Sequence, residues 1–268
     1  MKSLKELFST QDAAPIIKEI IDANVFKVAT RERVGRLICR VLNLSEGSSL
    51  KIPKMGKGKA YVIPELGEIP VDVSSLGETV ITPFKIGKAF VVSSEAIEDS
   101  SFDVIKLKAD MATEDVVAKE DEEIFKVIQV TTNTVSPKTA GEFVQEDVIT
   151  LRNAVNRNSY KAKFLVGHPD DISKLEKDLI SKGYKAFDRL DDEGYIGNVS
   201  GLKVVETTAI EPGTVLALDS RAVVLVERRP LKLKNFEDPL RDLAGGVTLT
   251  ERVAPAVLDD NAIAKMTL

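Results

Sequence analysis

Residues able to do chemistry are few and widely spaced in this chain of 268 residues. His168 is its only histidine and Cys39 its only cysteine. A Ser-His-Asp or Cys-His nucleophile would have to be built on His168, and metal sites made of several histidines are excluded. Carboxylate and lysine mechanisms survive this cut. His168 stands between Gly167 and Pro169, ahead of a helical stretch. It is either a general base or a helix flank whose side chain satisfies free backbone N–H groups. No serine or cysteine motif surrounds it, which favours the flank. Asp188, Asp191, Asp192 and Glu193 crowd one loop as ligands of a hard cation would. They lack the spacing and the ordered glycine of a calcium loop, so a solvated acidic loop is expected. CxxC and Cys/His zinc spacings are absent, and a lone cysteine makes no internal disulfide. The expectation is a chain with no catalytic residue, no metal and no cofactor.

The cationic groups are more suggestive. Lys51, Lys54, Lys57 and Lys59 alternate with Gly56 and Gly58, but neither GxxxxGK[ST] nor GxGxxG is present. Two readings stay open for this loop, an acidic neighbouring subunit and a polyanion. Arg31, Arg33, Arg36 and Arg40 would line much of one face if their stretch were helical. Pairing between copies of the chain fits them better than nucleic acid, because the whole molecule carries a net charge of −5. Residues 1–54 hold ten Lys/Arg against six Asp/Glu, so this end is basic and the remainder acidic.

The elements that would position these groups follow from periodicity. Ile16, Ile17, Ile20 and Ile21 make one apolar helical face behind Pro15. Two β-branched runs, 50–63 and 79–92, flank a segment punctuated by Pro64, Gly67, Pro70 and Gly77. They read as a long hairpin, too narrow to enclose its own core. Ser100 and Asp103 resemble a capping box, and helix formers then run without Gly or Pro over 102–129. Val104, Leu107, Met111, Ala118, Phe125 and Ile128 are its expected apolar stripe. Residues 145–224 read as α/β, with helices at 146–156 and 169–182 and a loop carrying Gly194, Gly197 and Gly201. More strand is expected at 232–235 and 247–258. No run approaches the roughly 20 apolar residues a membrane span needs, and no secretory signal opens the chain.

The order of these parts resembles the Hong Kong 97-type shell fold of tailed-virus major capsid proteins and encapsulin nanocompartments. The resemblance is carried by TPFKIGKAFVVSSEAIEDSSFDVIKLKADMATEDVVAKEDEEIF (82–125), in which a strand and a Ser-x-Glu turn lead through "DS" into the long helix. LALDSRAVVLVERRPLKLK (216–234) and TERVAPAVLDDNAIAKMTL (250–268) are similar to the usual end of these proteins.

The resemblance implies an α+β capsid fold with four parts. An N-terminal arm would span 1–24 and an extended E-loop 47–82, lying across the adjacent subunit. A peripheral (P) domain would comprise 25–46, 83–130 and 226–254, with a spine helix at 102–129. An axial (A) domain would comprise 131–225 and 255–268, its glycine-rich loop pointing at the capsomer axis. The implied protein is a virion capsid component assembled in the host cytoplasm, not an enzyme. It forms hexamers and pentamers around double-stranded DNA held without sequence-specific binding. Its other partners would be separate scaffolding, portal or decoration proteins, with no membrane involved. The alternative is an encapsulin shell around a cargo enzyme. The arm begins almost at Met1, which implies a separate scaffold or none. Some relatives weld subunits through a lysine, an asparagine and a glutamate. Aligned on Glu251 and Arg252, the asparagine position reads Leu243 and the glutamate position Thr250. Contacts are therefore expected to be non-covalent: denaturing electrophoresis of assembled particles should give one band at 29.2 kDa, and a ladder of multiples would overturn this.

Overall fold

The computed structural model describes residues 33–54, 62–63, 77–92, 102–184, 195–238 and 243–268. The expected helix around Ile16–Ile21 and the cap at Ser100 lie outside them, as do Arg31, Lys57, Lys59, Gly194 and the acidic loop 188–193.

Two sheets organise the chain. The first has four strands in the order β1 (Arg40–Asn43), β10 (Val223–Asp238), β11 (Leu243–Val257) and β4 (Phe84–Val92). β1 runs parallel to β10, and the other pairings are antiparallel. The second has six strands in the order β5 (Thr134–Val135), β12 (Ile263–Thr267), β9 (Thr214–Leu218), β6 (Phe164–Gly167), β8 (Leu202–Glu206) and β7 (Gly197–Val199). A separate two-stranded ribbon pairs β2 (Leu50–Lys54) with β3 (Gly77–Ile81). Four helices complete the described fold: α1 (Gly35–Ile38), α2 (Phe102–Ile128), α3 (Gln145–Arg157) and α4 (Pro169–Ser181).

The period-2 alternation of strand side chains assigns each face its own core. In the six-stranded sheet, Leu165, Val204, Val215, Ala217 and Met266 face α3 and α4, packing on Leu151, Val155, Leu175 and Leu179. Their neighbours Phe164, Val166, Val205, Leu216, Leu218 and Ile263 turn the other way, into a cluster that also holds Ile124, Phe125 and Ile128 of α2. That cluster continues onto the four-stranded sheet through Ile86, Leu225, Leu249 and Val253. α2 is thus the common wall of both sheets. On the opposite face of the four-stranded sheet, Val224, Val226, Ala254 and Ala256 pack against Ile81, with Leu50 and Ile52 beside them, which roots the ribbon.

Three sequence expectations are corrected. The run 79–92 is broken at Thr82–Pro83 into β3 and β4, which lie in different sheets; proline has no N–H for a ladder, so pairing stops there. The strand expected at 232–235 is part of one long strand, β10, that begins at Val223 and whose register shifts between Glu227 and Lys232 around Pro230. On α2, Met111 is 56% exposed and Ala118 is also exposed. The buried face is Ala109, Ala112, Thr113, Val116, Val117, Glu120, Asp121, Ile124, Phe125 and Ile128. These ten follow 3- and 4-residue steps, and the phase was hidden because the face contains two carboxylates.

Burial sets the cost of change along α2. Phe125→Ala empties a site with 0% exposure and should cost about 3–5 kcal/mol, whereas Met111→Ala should stay within about 0.5 kcal/mol of wild type. Denaturant titration of the dissociated subunit measures both, and equal losses would contradict the packing described.

Candidate functional site

The polar centre of the molecule lies where the segment leading into α1 meets α2, β10 and β11. Glu120 of α2 and Glu251 of β11 have fully buried side chains. Arg33 Nη2 lies 2.7 Å from Glu251 Oε2 and 3.4 Å from Glu120 Oε2. Arg36 donates from Nε to Glu120 Oε1 at 2.6 Å and from Nη2 to Glu120 Oε2 at 3.1 Å. Its Nη1 reaches Glu227 Oε2 of β10 at 2.7 Å. Next to this group, Asp121 accepts from the Gly35 N–H at 2.8 Å and the Val34 N–H at 3.1 Å. Gly35 is needed for that approach, since a Cβ there would sit 2.6 Å from Asp121 Oδ1 and 2.7 Å from Ile124 Cδ1.

Two arginines and two backbone N–H groups on a four-residue stretch thus clamp the start of the described chain to the spine helix and both long strands. The geometry is a latch. Removing one partner of a buried ion pair strands the other, at about 3–5 kcal/mol. The charges are not evenly matched, because the two guanidiniums face Glu120, Asp121, Glu227 and Glu251. Burial and then the neighbouring Glu120 charge push the Glu251 carboxyl up to about 8. Burial pushes Asp121 up to about 7, against its two backbone hydrogen bonds. Burial and then the Asp121 and Glu120 charges raise the Cys39 thiol well above its ordinary range. Both shifts favour the neutral carboxyl, the form that reduces the excess of negative charge. Glu251 Oε1 and Arg33 Nε have no hydrogen-bond partner among the described residues.

The sequence candidates fall as follows. Arg33 and Arg36, expected to pair with another copy, make ion pairs within the chain, with side chains only 14% and 18% exposed. The four arginines share no helical face, because α1 is a single turn and Arg40 already begins β1. Lys51 bridges to Glu78 across the ribbon at 3.2 Å, and Lys54 ends β2. Gly197 is buried at the start of β7 and Gly201 lies at φ +83° in the tight turn to β8, so both belong to a hairpin. His168 accepts a hydrogen bond at Nδ1 from the Asp170 N–H at 3.3 Å, the flank expected for it. Among the described residues no group of three His, Cys, Asp or Glu is placed to hold a metal ion, and no helix is long and apolar enough to cross a membrane. Sequence reasoning missed Glu120 and Glu251. The available signal was that Glu120 and Asp121 sit in phase with Val116, Val117 and Ile124.

A shared spine helix between two sheets, a latched N-terminal segment and a projecting ribbon form one architecture. The sequence profile of the phage capsid family matches residues 14–268. The chain belongs to the phage capsid family. Comparison with curated protein sequences finds no match. Solved structures agree on the fold. The capsid of cyanophage P-SCSP1u is 12% identical, with 86% of each chain covered and a TM-score of 0.66. The virus-like particle of Pyrococcus furiosus is 14% identical, covering 92% of this chain and 98% of that one, with a TM-score of 0.65. The SrpI encapsulin of Synechococcus elongatus PCC 7942, solved as a holo complex, is 14% identical, covering 90% and 88%, with a TM-score of 0.68. The fold is the Hong Kong 97-type capsid fold, and the protein is a shell-forming capsid protein of phage or encapsulin type.

The latch makes this capsid protein's stability fall as pH rises. The folded Glu251 carboxyl holds its proton to about 8, while an unfolded glutamate releases it near pH 4.5. Unfolding therefore releases a proton between those values, and the stabilisation fully present below pH 4.5 is lost by about pH 8. Asp121 acts in the same direction up to about pH 7. Urea midpoints measured across this window should decline, and Glu251→Gln, which fixes the neutral form, should flatten the decline. An unchanged slope in that variant would remove Glu251 from the linkage.

Proposed function

We propose that this chain is the major capsid protein of a virus, self-assembling into hexamers and pentamers of an icosahedral shell that encloses double-stranded DNA. The observation that carries the reading is the β2–β3 ribbon. It is rooted by Ile81 in the core, yet Lys51, Pro53, Glu78 and Val80 beyond the root are exposed, Val80 at 55%. A two-stranded ribbon with bare faces has no stability of its own, so it needs a surface on another copy. In a phage capsid family member, that surface is the adjacent subunit of the capsomer.

In this reading the four-stranded sheet with α2 is the P domain, the six-stranded sheet with α3 and α4 is the A domain, and the ribbon is the E-loop. β10 and β11 run through the boundaries at 225/226 and 254/255, which makes the two lobes one lever rather than hinged modules. The hairpin at Gly197 and Gly201 lies towards the capsomer axis. Many modest interfaces, summed over a closed shell, supply the strength of the assembly. Net negative charge suits a wall that contains DNA without gripping it. Scaffolding, portal and decoration proteins are its accessory partners, and the assembled protein resides in the virion after assembly in the host cytoplasm.

A second reading, an encapsulin-type compartment holding a cargo enzyme, draws support from an open groove beside the latch. It has a volume of about 750 Å³ and is lined by Val34, Val117, Ala118, Asp121 and Ala209 among others, a shape able to take a short peptide.

Light-scattering mass of the purified chain, with absorbance at 260 and 280 nm on each peak, tests both. Pentamers, hexamers or a megadalton species are expected, with a nucleic-acid absorbance ratio for the viral reading. Particles free of nucleic acid that carry a stoichiometric second protein would favour the compartment. A species that stays at 29.2 kDa under all conditions would overturn both.

A further inference from the structure

Glu120 and Glu251 do more than face the same guanidiniums. Their side chains are hydrogen-bonded to each other, and two carboxyl groups can make such a bond only when one of them carries a proton. Arg33 Nη2 touches both, at 3.4 Å from Glu120 Oε2 and 2.7 Å from Glu251 Oε2. Arg36 Nη2 lies 3.1 Å from the first oxygen and 3.8 Å from the second. The acid pair is therefore pinched beneath the N-terminal segment, with both side chains fully buried.

The elements packed around the pair give that proton no substitute. α2 adds Asp121, and β10 adds Glu227, which already binds Arg36 Nη1. β4 places apolar Ile86 opposite Glu251 and turns Lys88 to Asp115 of α2. Burial, and then the Asp121 and Glu120 charges, keep the nearby Cys39 thiol protonated. Among the described residues, Arg33 and Arg36 are the cations that reach the pair. Two carboxylates in contact cannot both ionise away from water at ordinary cost. Accordingly burial, and then the Glu120 charge, push the Glu251 carboxyl up to about 8 from an ordinary 4.5.

Water reaches the pair at least cost by lifting the segment above it. α2 and β11 are joined through Ile124, Phe125, Leu249 and Val253 in the shared apolar cluster. The segment adds one fully buried apolar side chain, Ile38, with Val34 and Cys39 partly buried beside it. Its strand β1 has four residues and lies at the edge of the sheet. Just beyond Asn43 the chain is fastened again, where Arg228 Nη1 donates to the Leu44 carbonyl at 2.9 Å. Arg33–Asn43 is thus a short flap held at its far end, and an element with so few buried apolar contacts opens well before the whole fold does.

We propose that one proton held between Glu120 and Glu251 pins this flap, and that the flap opens with release of that proton while α2, β10 and β11 stay packed. In the open form Glu251 meets water and gives up its proton near pH 4.5, so opening expels a proton between that value and about pH 8. The flap is closed in acid, opens progressively through this window and gains nothing further above it. Asp121 keeps two N–H donors from the flap, which makes the glutamate pair the weaker point. The event is local, distinct from the global loss of stability described above, and it does not depend on the shell reading.

Cys39 is the chain's only cysteine and lies within the flap, so a thiol probe reads the opening. A pyridyl disulfide should react with the full-length chain at a rate that, relative to the urea-unfolded chain at the same pH, rises about tenfold per pH unit towards about pH 8 and then levels. Far-ultraviolet circular dichroism should stay constant over the same range. Glu251→Gln and Glu120→Gln each replace the proton with an amide N–H that cannot leave, and each should flatten the rise. Infrared absorption of a neutral carboxyl should be present in the wild type near pH 6 and weaker in each variant. A relative rate that does not change with pH, a rise that either variant retains, or a rise accompanied by loss of ellipticity overturns the pinned flap. Should neither variant fold, the wild-type infrared spectrum decides, and absence of the neutral-carboxyl absorption overturns the proposal.

Discussion

Glu120 on α2 and Glu251 on β11 face each other out of reach of water, and neither element supplies the cation that their burial demands. Among the described residues, the stretch from Arg33 to Arg36 does so. That requirement ties the N-terminal segment to the spine helix, which also packs on the sheet through Val116, Val117, Ile124 and Phe125. The same four residues lead straight into β1, which pairs in parallel with β10. A region that by composition looks like a loose basic arm is thereby made part of the core. The uneven balance of charge leaves the latch proton-dependent, because full ionisation would put four carboxylates against two guanidiniums.

The second organising feature is that α2 serves two sheets at once. Leu216 and Leu218 of one sheet and Leu225 and Leu249 of the other belong to a single apolar cluster around Phe125 and Ile128. A change in the angle between the sheets must repack that shared wall, and close-packed interiors resist such shear. On the outer side the root of the ribbon sits on Val224 and Val226, back to back with Val223 and Leu225. Ribbon and latch therefore act through opposite faces of one strand.

Much of this was legible in the sequence where the signal is local. Helix formers without Gly or Pro located α2 to within a residue, and the Pro169 flank located α4. The parallel pairing of β1 with β10 left no local trace, since its partners lie over 180 residues apart. Charged residues misled the reading in both directions. Burying a carboxylate is costly, so Glu120 and Asp121 carry no sequence sign of burial, yet they are satisfied by Arg33, Arg36 and two backbone N–H groups from far along the chain. Arg33 and Arg36 were assigned to a neighbour for the matching reason. Pro83 could have revealed the break between β3 and β4, but the alternating apolar positions on either side masked it.

The parallel pairing of β1 with β10 also governs when a subunit becomes usable. Arg40 pairs opposite Val224, and Arg33 closes on Glu251. During synthesis the N-terminal segment emerges first but has nothing to close on until the last strands have left the ribosome. Its native contacts are among the longest-range in the chain, and contacts of that kind form late. A chain truncated before β11 lacks Glu251 and so cannot close the latch.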